Sequence, residues 1–316
     1  MHHNTELASN IFLFCLNVLQ ILSNLLVLLA YFTDHQLLKN ENIILLVSLA
    51  AIDLFYSMLS IPYLTVLFIG WVPNDKEYHY NEYVIIGFGS GPASLMKSGC
   101  TITTLIAIDR IWALWSPVKY YSLKKKPILC AGFVFSLLMA AFDCSLIFIL
   151  SDGIKPVPDC SSFSCFVSET FRVYWGMSNM VFNLLSCLLT IVIAILLKTK
   201  KKRETNIKNS IVRRKEDKWA GRATLYILIL SAIFGVVPGG INSGARLIQS
   251  DFINALAFYI QLCASISGLM HAFIFGMAHN LIRRRILAML KLNKYCKQQS
   301  QRPSQNFRIY PVTTLT

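Results

Sequence analysis

Charged residues are scarce in this 316-residue chain, and acidic ones are the scarcest. Asp and Glu number 16 against 30 Lys and Arg, and charged residues make up only 15% of a sequence that is 55% hydrophobic. The carboxylates are scattered, so no hydrolase, kinase or redox constellation can be assembled from them. Internal repeats and Gly/Ser-rich linkers are also missing. These absences argue against an enzyme and leave no room for a separate soluble domain.

Long apolar stretches fill most of the chain instead. A helix that crosses a lipid bilayer needs about 20 mainly apolar residues. Seven windows reach this length: residues 7–32, 43–69, 83–114, 127–150, 173–197, 223–245 and 252–278. None shows the two-residue alternation of a barrel strand. The sequence therefore predicts an all-α fold, a seven-transmembrane helix bundle.

The basic residues predict the orientation of this bundle. Nearly all Lys and Arg fall in the first, third and fifth connections and in the tail. Because cytoplasmic loops carry the excess of Lys and Arg, the amino terminus is predicted to lie outside the cell. The net charge of +14 comes from Lys and Arg that flank the membrane spans, and the sequence has no nucleic-acid-binding motif. Both observations argue against a nucleic-acid partner. Residues 1–297 are the predicted membrane domain, and the polar residues 298–316 are a predicted disordered cytoplasmic tail.

An adjacent acid and base, Asp109 and Arg110, end the third window, and Pro117 and Tyr120 follow them. At the cytoplasmic edge of the membrane such a pair can act as a latch. Asp109 would hold Arg110 at rest, and release would let the guanidinium reach a neighbouring helix or a docked partner.

Through this motif the chain resembles the rhodopsin-like G-protein-coupled receptors, whose third helix ends in Asp-Arg-Tyr with the same Pro and Tyr downstream. Asn24, Asp53, Pro238 and an Arg-rich segment after the seventh window also fall where that family has its landmarks. Within the family, the short loops and the DRIWALWSPVKYY junction look most like the nematode serpentine chemoreceptors of the bc or sx class.

The resemblance implies a chemosensory receptor in the plasma membrane. Such a receptor binds a small external molecule, shifts its sixth helix about Pro238, releases Arg110 and activates a heterotrimeric G protein. Arrestin or a receptor dimer as partners, and the sensory cilium as location, stay open. The alternative is a seven-span transporter or a ligand-gated channel. A transporter predicts repeat symmetry and broken helices near the midplane, which the sequence does not show.

The chain departs from the family's pattern in its seventh window and in its cysteines. Where Asn-Pro-x-x-Tyr is usual, the chain runs from His271 to Phe275, and these residues become its candidates for the activation switch. The usual cysteine at the outer end of the third helix is missing. Cys160 and Cys165 could close a small outer loop instead, with free thiols or pairing to another chain as alternatives. Other cysteines are predicted to be buried small apolar residues: Cys15, Cys100, Cys130, Cys144, Cys187 and Cys263.

Ionisable groups inside a membrane are rare enough to be functional candidates. Asp53 is expected to form a polar cluster with Asn24, Ser267 and His271. This cluster either binds water or sodium, the one cofactor considered, or is a plain hydrogen-bonded packing contact.

Lys97 lies about 20 Å along its helix from the cytoplasmic edge. It either pairs with Asp143 on the fourth helix or faces the cavity and attracts an anionic or carbonyl-bearing ligand. At the outer mouth, Arg172, Trp175 and Arg246 are either ligand-binding candidates or solvated helix ends and interfacial anchors.

A short amphipathic helix is predicted after the seventh window. Its apolar stripe lies beside three consecutive arginines, which favours a helix on the anionic lipid surface of the membrane: Ile282, Ile286, Met289 and Leu290. Cys296 just beyond it is a candidate for lipidation, with a plain reduced thiol as the alternative.

Overall fold

The structure, a computed structural model, describes residues 3–71, 80–150, 162–204, 225–230, 233–234 and 250–290. Within these ranges the chain is helical. The helices, which we number in chain order, are α1 (His3–Phe32), α2 (His35–Leu38), α3 (Ile44–Ile69), α4 (Glu82–Trp115), α5 (Pro117–Ser122), α6 (Lys126–Ile149), α7 (Phe163–Phe166), α8 (Glu169–Glu204), α9 (Ser250–Ala278) and α10 (Asn280–Met289). A 3-10 turn, Glu41–Ile43, leads into α3.

The long helices match six of the seven predicted windows. Most ends agree within a few residues, although α8 continues to Glu204, well past the predicted end at residue 197. At 36 residues α8 is about 54 Å long, longer than the roughly 30 Å of membrane hydrocarbon, so its basic end extends beyond the apolar layer. Of the sixth window, residues 225–230 and 233–234 are described, and they are helical. The predicted tail at residues 298–316 lies outside the described residues.

Five helices in the described part of the chain are long and apolar enough to cross a membrane: Leu7–Phe32, Glu41–Ile69, Lys126–Ile149, Glu169–Thr199 and Phe258–Met277. Helix α4, at 34 residues, is longer than each of these spans but more polar, because it carries Lys97, Asp109 and Arg110 among many Ser, Thr and Gly residues. Its position explains the difference. Helix α4 packs against α3, α6 and α8, so other helices surround much of its surface. The sequence alone predicts α4 as a membrane span like the other six windows.

The bundle buries polar residues within an apolar core and also exposes many apolar residues on its surface. Large hydrophobic side chains such as Phe55, Leu138 and Leu188 are exposed on its surface, whereas Lys97 and Asp143 are fully buried. An apolar surface together with buried charges is unusual for a soluble protein and is expected when lipid, not water, surrounds the helices. The cysteine prediction fails on this surface: Cys15 and Cys130 are exposed, and the other four free cysteines are only half-buried.

Helix α10 follows α9 directly and is amphipathic, as predicted. Ile282 is fully buried and Ile286 packs against the core, whereas Met289 and Leu290 are exposed. Arg285 Nε donates a 2.8 Å hydrogen bond to Asp34 Oδ2, which ties α10 to the turn after α1. That bond lowers the pKa of the Asp34 carboxyl below its ordinary value.

Candidate functional site

The bundle contains a cavity of about 100 Å³, which we call the central cavity. Helices α3, α4, α8 and α9 form its wall, with a further contribution from Phe234. The lining mixes eight apolar residues with nine that carry a polar atom: Asp53, Tyr56, Cys100, Thr103, Trp175, Asn179, Asn183, Ser267 and His271. Because one buried water needs roughly 10–15 Å³ of such space, the cavity has room for several waters or a small molecule.

A second cavity of about 80 Å³, the end cavity, lies beside the central one. Both are lined by Tyr56, Met96, Trp175 and Ile260, which therefore form the partition between them. Short helix α7 covers the end cavity. Its Phe163 ring packs directly on Gly89, where an added Cβ would lie 2.5 Å from the ring, so only glycine allows this contact.

Two of the predicted ligand-binding candidates line these cavities. Trp175 lines both, and Arg172 lines the end cavity. Trp175 is held in place because its Nε1 donates to the Ala93 carbonyl at 3.2 Å. Arg246, the third candidate at this mouth, lies outside the described residues.

The structure shows Lys97 paired with Asp143, at 3.8 Å between Nζ and Oδ2, and both side chains are fully buried. Lys97 Nζ also donates to Ser178 Oγ. Tyr174 completes the group, because its hydroxyl donates to Asp143 Oδ1 at 2.8 Å. Its ring and that of Phe182 lie 5.7 and 5.6 Å from Nζ. Neither Lys97 nor Asp143 lines either of these two cavities, so of the two alternatives the contacts match the interhelical pair.

The polar cluster expected around Asp53 forms one side of the central cavity. Asp53 Oδ2 lies 3.0 Å from His271 Nδ1, and His271 Nε2 lies 3.2 Å from Ser267 Oγ. Asn24 reaches the cluster through backbone, donating to the Gly268 carbonyl at 3.4 Å. Gln20, which the sequence analysis missed, donates to the Asp53 carbonyl at 3.1 Å.

Phe275 lies one turn beyond His271 on α9 and is buried. Its ring contacts the His279 ring at the end of the helix. His271 and Phe275, at the two ends of the segment that replaces the family's usual seventh-helix motif, are therefore core residues that join the polar cluster to the start of α10.

A second polar group surrounds Arg110 at the opposite end of α4 from Glu82. Asp109 Oδ2 lies 3.7 Å from Arg110 Nε, but both Asp109 oxygens accept from the Tyr120 hydroxyl, at 3.0 and 3.1 Å. Arg110 Nη2 donates to the Asn42 carbonyl in the turn before α3. The predicted latch therefore involves two residues besides Asp109: Tyr120 bonds to the acid and Asn42 bonds to the base.

Pro117 and Lys125 position this second group. Pro117 begins α5, the short helix that places Tyr120 under Asp109, and the Tyr120 side chain is completely buried. Lys125 Nζ donates to Asn42 Oδ1 at 2.7 Å and lies 3.7 Å from the centre of the Tyr120 ring. Asn42 and Lys125 were not singled out from the sequence, since polar residues in connections are ordinary.

Several predicted residues fall beyond what the structure describes: Cys160, Pro238 and Cys296. Cys165 is disulfide-bonded. The other cysteines in the described ranges are free. The pairing with Cys160 stays a prediction.

Asn179 and Asn183 are among the cavity residues that the sequence analysis overlooked. They lie four residues apart on α8, so they share one face of a helix whose predicted window contains no charge. Two amides at helical spacing inside an otherwise apolar run were the available signal.

Long apolar helices, a buried polar interior and a bundle built around α4 define a membrane protein of the seven-helix receptor class. A family model described as serpentine type 7TM GPCR chemoreceptor Srbc matches residues 3–216, which is more than half of the chain. The chain belongs to this family of nematode serpentine chemoreceptors, which confirms the bc alternative. No curated protein matches it.

Proposed function

We propose that this chemoreceptor binds a small external molecule in the central cavity and activates a heterotrimeric G protein at the end of the bundle that carries Arg110. In this proposal the amino terminus is extracellular and the protein is a multi-pass component of the plasma membrane. The distribution of Lys and Arg supports that orientation, because the basic end of α8 and the three arginines of α10 fall on the Arg110 side.

The observation that carries the proposal is the arrangement of Arg110. Its guanidinium is charged and largely buried, and its Nη2 bonds to a backbone carbonyl while its Nε has no hydrogen-bond partner. A buried charge with an unsatisfied donor costs free energy, so Arg110 would be stabilised by any partner that offers Nε a hydrogen-bond acceptor. A G-protein segment that offers carbonyl or carboxylate oxygens would be such a partner.

Sodium or water near Asp53 is a further part of this proposal. Asn24 Oδ1 and Gln20 Oε1 are buried acceptors without a hydrogen-bond partner, and neutral oxygens beside a carboxylate suit a hard cation. Asp53, Asn24 and Gln20 would hold the ion, which would supply a positive charge opposite His271. Stabilisation of the purified receptor by NaCl but not by choline chloride would support sodium over water.

Signalling through a promiscuous G protein tests the function. The parent and the variant Arg110→Ala would be compared with a ligand panel at matched surface expression, with Arg284→Ala as control because this arginine is exposed at the same end of the bundle. We expect responses in the parent and the control, and none in Arg110→Ala. Ligand-dependent current or flux that survives the substitution, without nucleotide exchange, would favour the channel or transporter alternative.

A further inference from the structure

We propose that the central cavity recognises an uncharged molecule and that Asn179 is the residue that pairs with its polar group. The proposal deepens the function above and rests on it in taking this cavity as the ligand site. It assigns a ligand class and a specificity-determining residue.

Asn179 lines the central cavity with both polar atoms of its side chain unpaired. The residue is 5% exposed, and neither Oδ1 nor Nδ2 has a hydrogen-bond partner. Leaving such a buried group unpaired costs about 1–3 kcal/mol, so unpaired amides are rare in folded proteins and need an explanation. A ligand in the cavity that offers one acceptor and one donor supplies that explanation.

The neighbours of Asn179 on the same face of α8 are engaged elsewhere. Trp175, one turn before it, donates to the Ala93 carbonyl. Asn183, one turn after it, lies beside the Cys100 thiol. Asn179 is therefore the amide on this face that is left for a ligand.

The charges near the cavity disfavour an ionic organic ligand. Asp53 is the acidic residue among the described cavity-lining residues; its carboxylate contacts His271 at 3.0 Å and is the group proposed above to hold sodium or water, so it is not left for an organic cation. Lys97 is sequestered behind the wall by Asp143, and Arg172 lines the end cavity. Bringing an anion or cation into this space without a counter-charge would cost several kcal/mol. The cavity therefore selects neutral molecules.

Size narrows the class further. An engineered protein cavity of about 150 Å³ admits benzene, so the central cavity, at about 100 Å³, suits a molecule or molecular fragment of comparable or smaller size. The walls near Asn179 include Leu95, Met96 and Ile260. These features together describe a short apolar chain that ends in an amide, ketone or alcohol.

Three probes with the same number of non-hydrogen atoms test the proposal: pentanamide, 2-hexanone and pentanoate. Each is added to the purified full-length receptor in lipid nanodiscs at neutral pH, and the midpoint of thermal unfolding is measured against probe concentration. Binding to the folded state raises the midpoint. We expect a rise with pentanamide, a smaller rise with 2-hexanone and none with pentanoate at equal concentration.

The variant Asn179→Leu removes the amide. We expect it to weaken pentanamide binding about tenfold, the scale of about 1.4 kcal/mol, while it raises the unfolding midpoint of the free receptor because an unpaired buried amide is gone. A damaged fold would lower both pentanamide binding and the unfolding midpoint of the free receptor. Weaker binding together with a higher midpoint therefore indicates the loss of a ligand contact. Ser186→Ala is the matched control: Ser186 Oγ is also buried and unpaired on α8 but lies outside the cavity, so binding should not change.

A midpoint that rises with pentanoate as much as with pentanamide would overturn the proposal, and so would unchanged pentanamide binding in Asn179→Leu. The absence of any shift with both uncharged probes would overturn it as well. The comparison of probes on the parent decides the matter even if the variant does not fold. Probe binding without nucleotide exchange would count against the proposed function alone, whereas G-protein activation by pentanoate alone would count against this inference and leave that function standing.

Discussion

Replacing one member of the buried Lys97–Asp143 pair should destabilise the receptor far more than replacing both. At 3.8 Å, the gross attraction between the two charges is about 4 kcal/mol for an effective dielectric constant of about 20. Desolvation of two fully buried side chains offsets much of this attraction. The net value of the pair is therefore small, but a lone charge left at this depth keeps its whole desolvation cost.

The two single variants are Lys97→Met and Asp143→Asn. In Lys97→Met the carboxylate keeps its hydrogen bond from the Tyr174 hydroxyl but loses its counter-charge. In Asp143→Asn the ammonium keeps Ser178 and two aromatic rings. We expect each single variant to lose about 3–5 kcal/mol of unfolding free energy, and the double variant to recover most of that loss.

A double-mutant cycle by reversible unfolding in mixed micelles measures this coupling. The parent, both single variants and the double variant are compared, and the coupling should exceed about 2 kcal/mol. If each single variant stays within about 1 kcal/mol of the parent, or if the double variant shows the simple sum of two losses, then the pair does not act as a buried ion pair and the reasoning fails.

Three further perturbations probe other contacts. Tyr120→Phe removes the donor to both Asp109 oxygens, so about 1.5–3 kcal/mol of resting-state stabilisation should disappear and basal nucleotide exchange should rise. Gly268→Ala would place a Cβ 2.1 Å from the buried amide of Gln20, so it should lower the free energy of unfolding by about 1–3 kcal/mol, measured by thermal unfolding. Gly87→Ala is the control: an added Cβ there meets nothing within 4 Å, so the free energy of unfolding should stay the same or rise. The pKa of Asp34 in the folded protein is lowered by its hydrogen bond with Arg285. The contact between Asp34 and α10 should therefore hold above pH 4 and be lost only as the pH falls below the ordinary value of 3.8. The distance between two labels, one near Asp34 and one on α10, measures this loss.

The sequence predicts the helices well because the membrane imposes one length and one composition on every lipid-facing span. Six windows return as helices, with most ends shifted by a few residues. Helix α4 differs from the other long helices in its polar composition, which the membrane tolerates because other helices surround much of it. The length of an apolar run does not show whether a helix faces lipid or other helices, nor which of its sides is buried. The burial of the six cysteines was therefore predicted poorly.

The contacts of the site were less predictable than its residues. Lys97 and Asp143 could be matched by their height in the membrane, because helical rise fixes depth. Asn42, Lys125 and Asn179 could not be found in this way. Their roles depend on the rotation of each helix and on the path of short connections, and an apolar pattern in lipid determines neither.

Helix α4 links the two ends of the proposed mechanism. Thr103 lines the central cavity and lies two turns, about 10 Å, before Arg110 on the same helix. A ligand shifts a conformational equilibrium only by the difference in its affinity for the two states. The cost of the unpaired Asn179 amide, about 1–3 kcal/mol, equals typical coupling energies between two sites of one protein. One hydrogen-bonded pair at Asn179 is therefore large enough to drive release of Arg110, provided that it forms in only one state. A purely apolar molecule that fills the cavity equally in both states would bind and yet shift nothing.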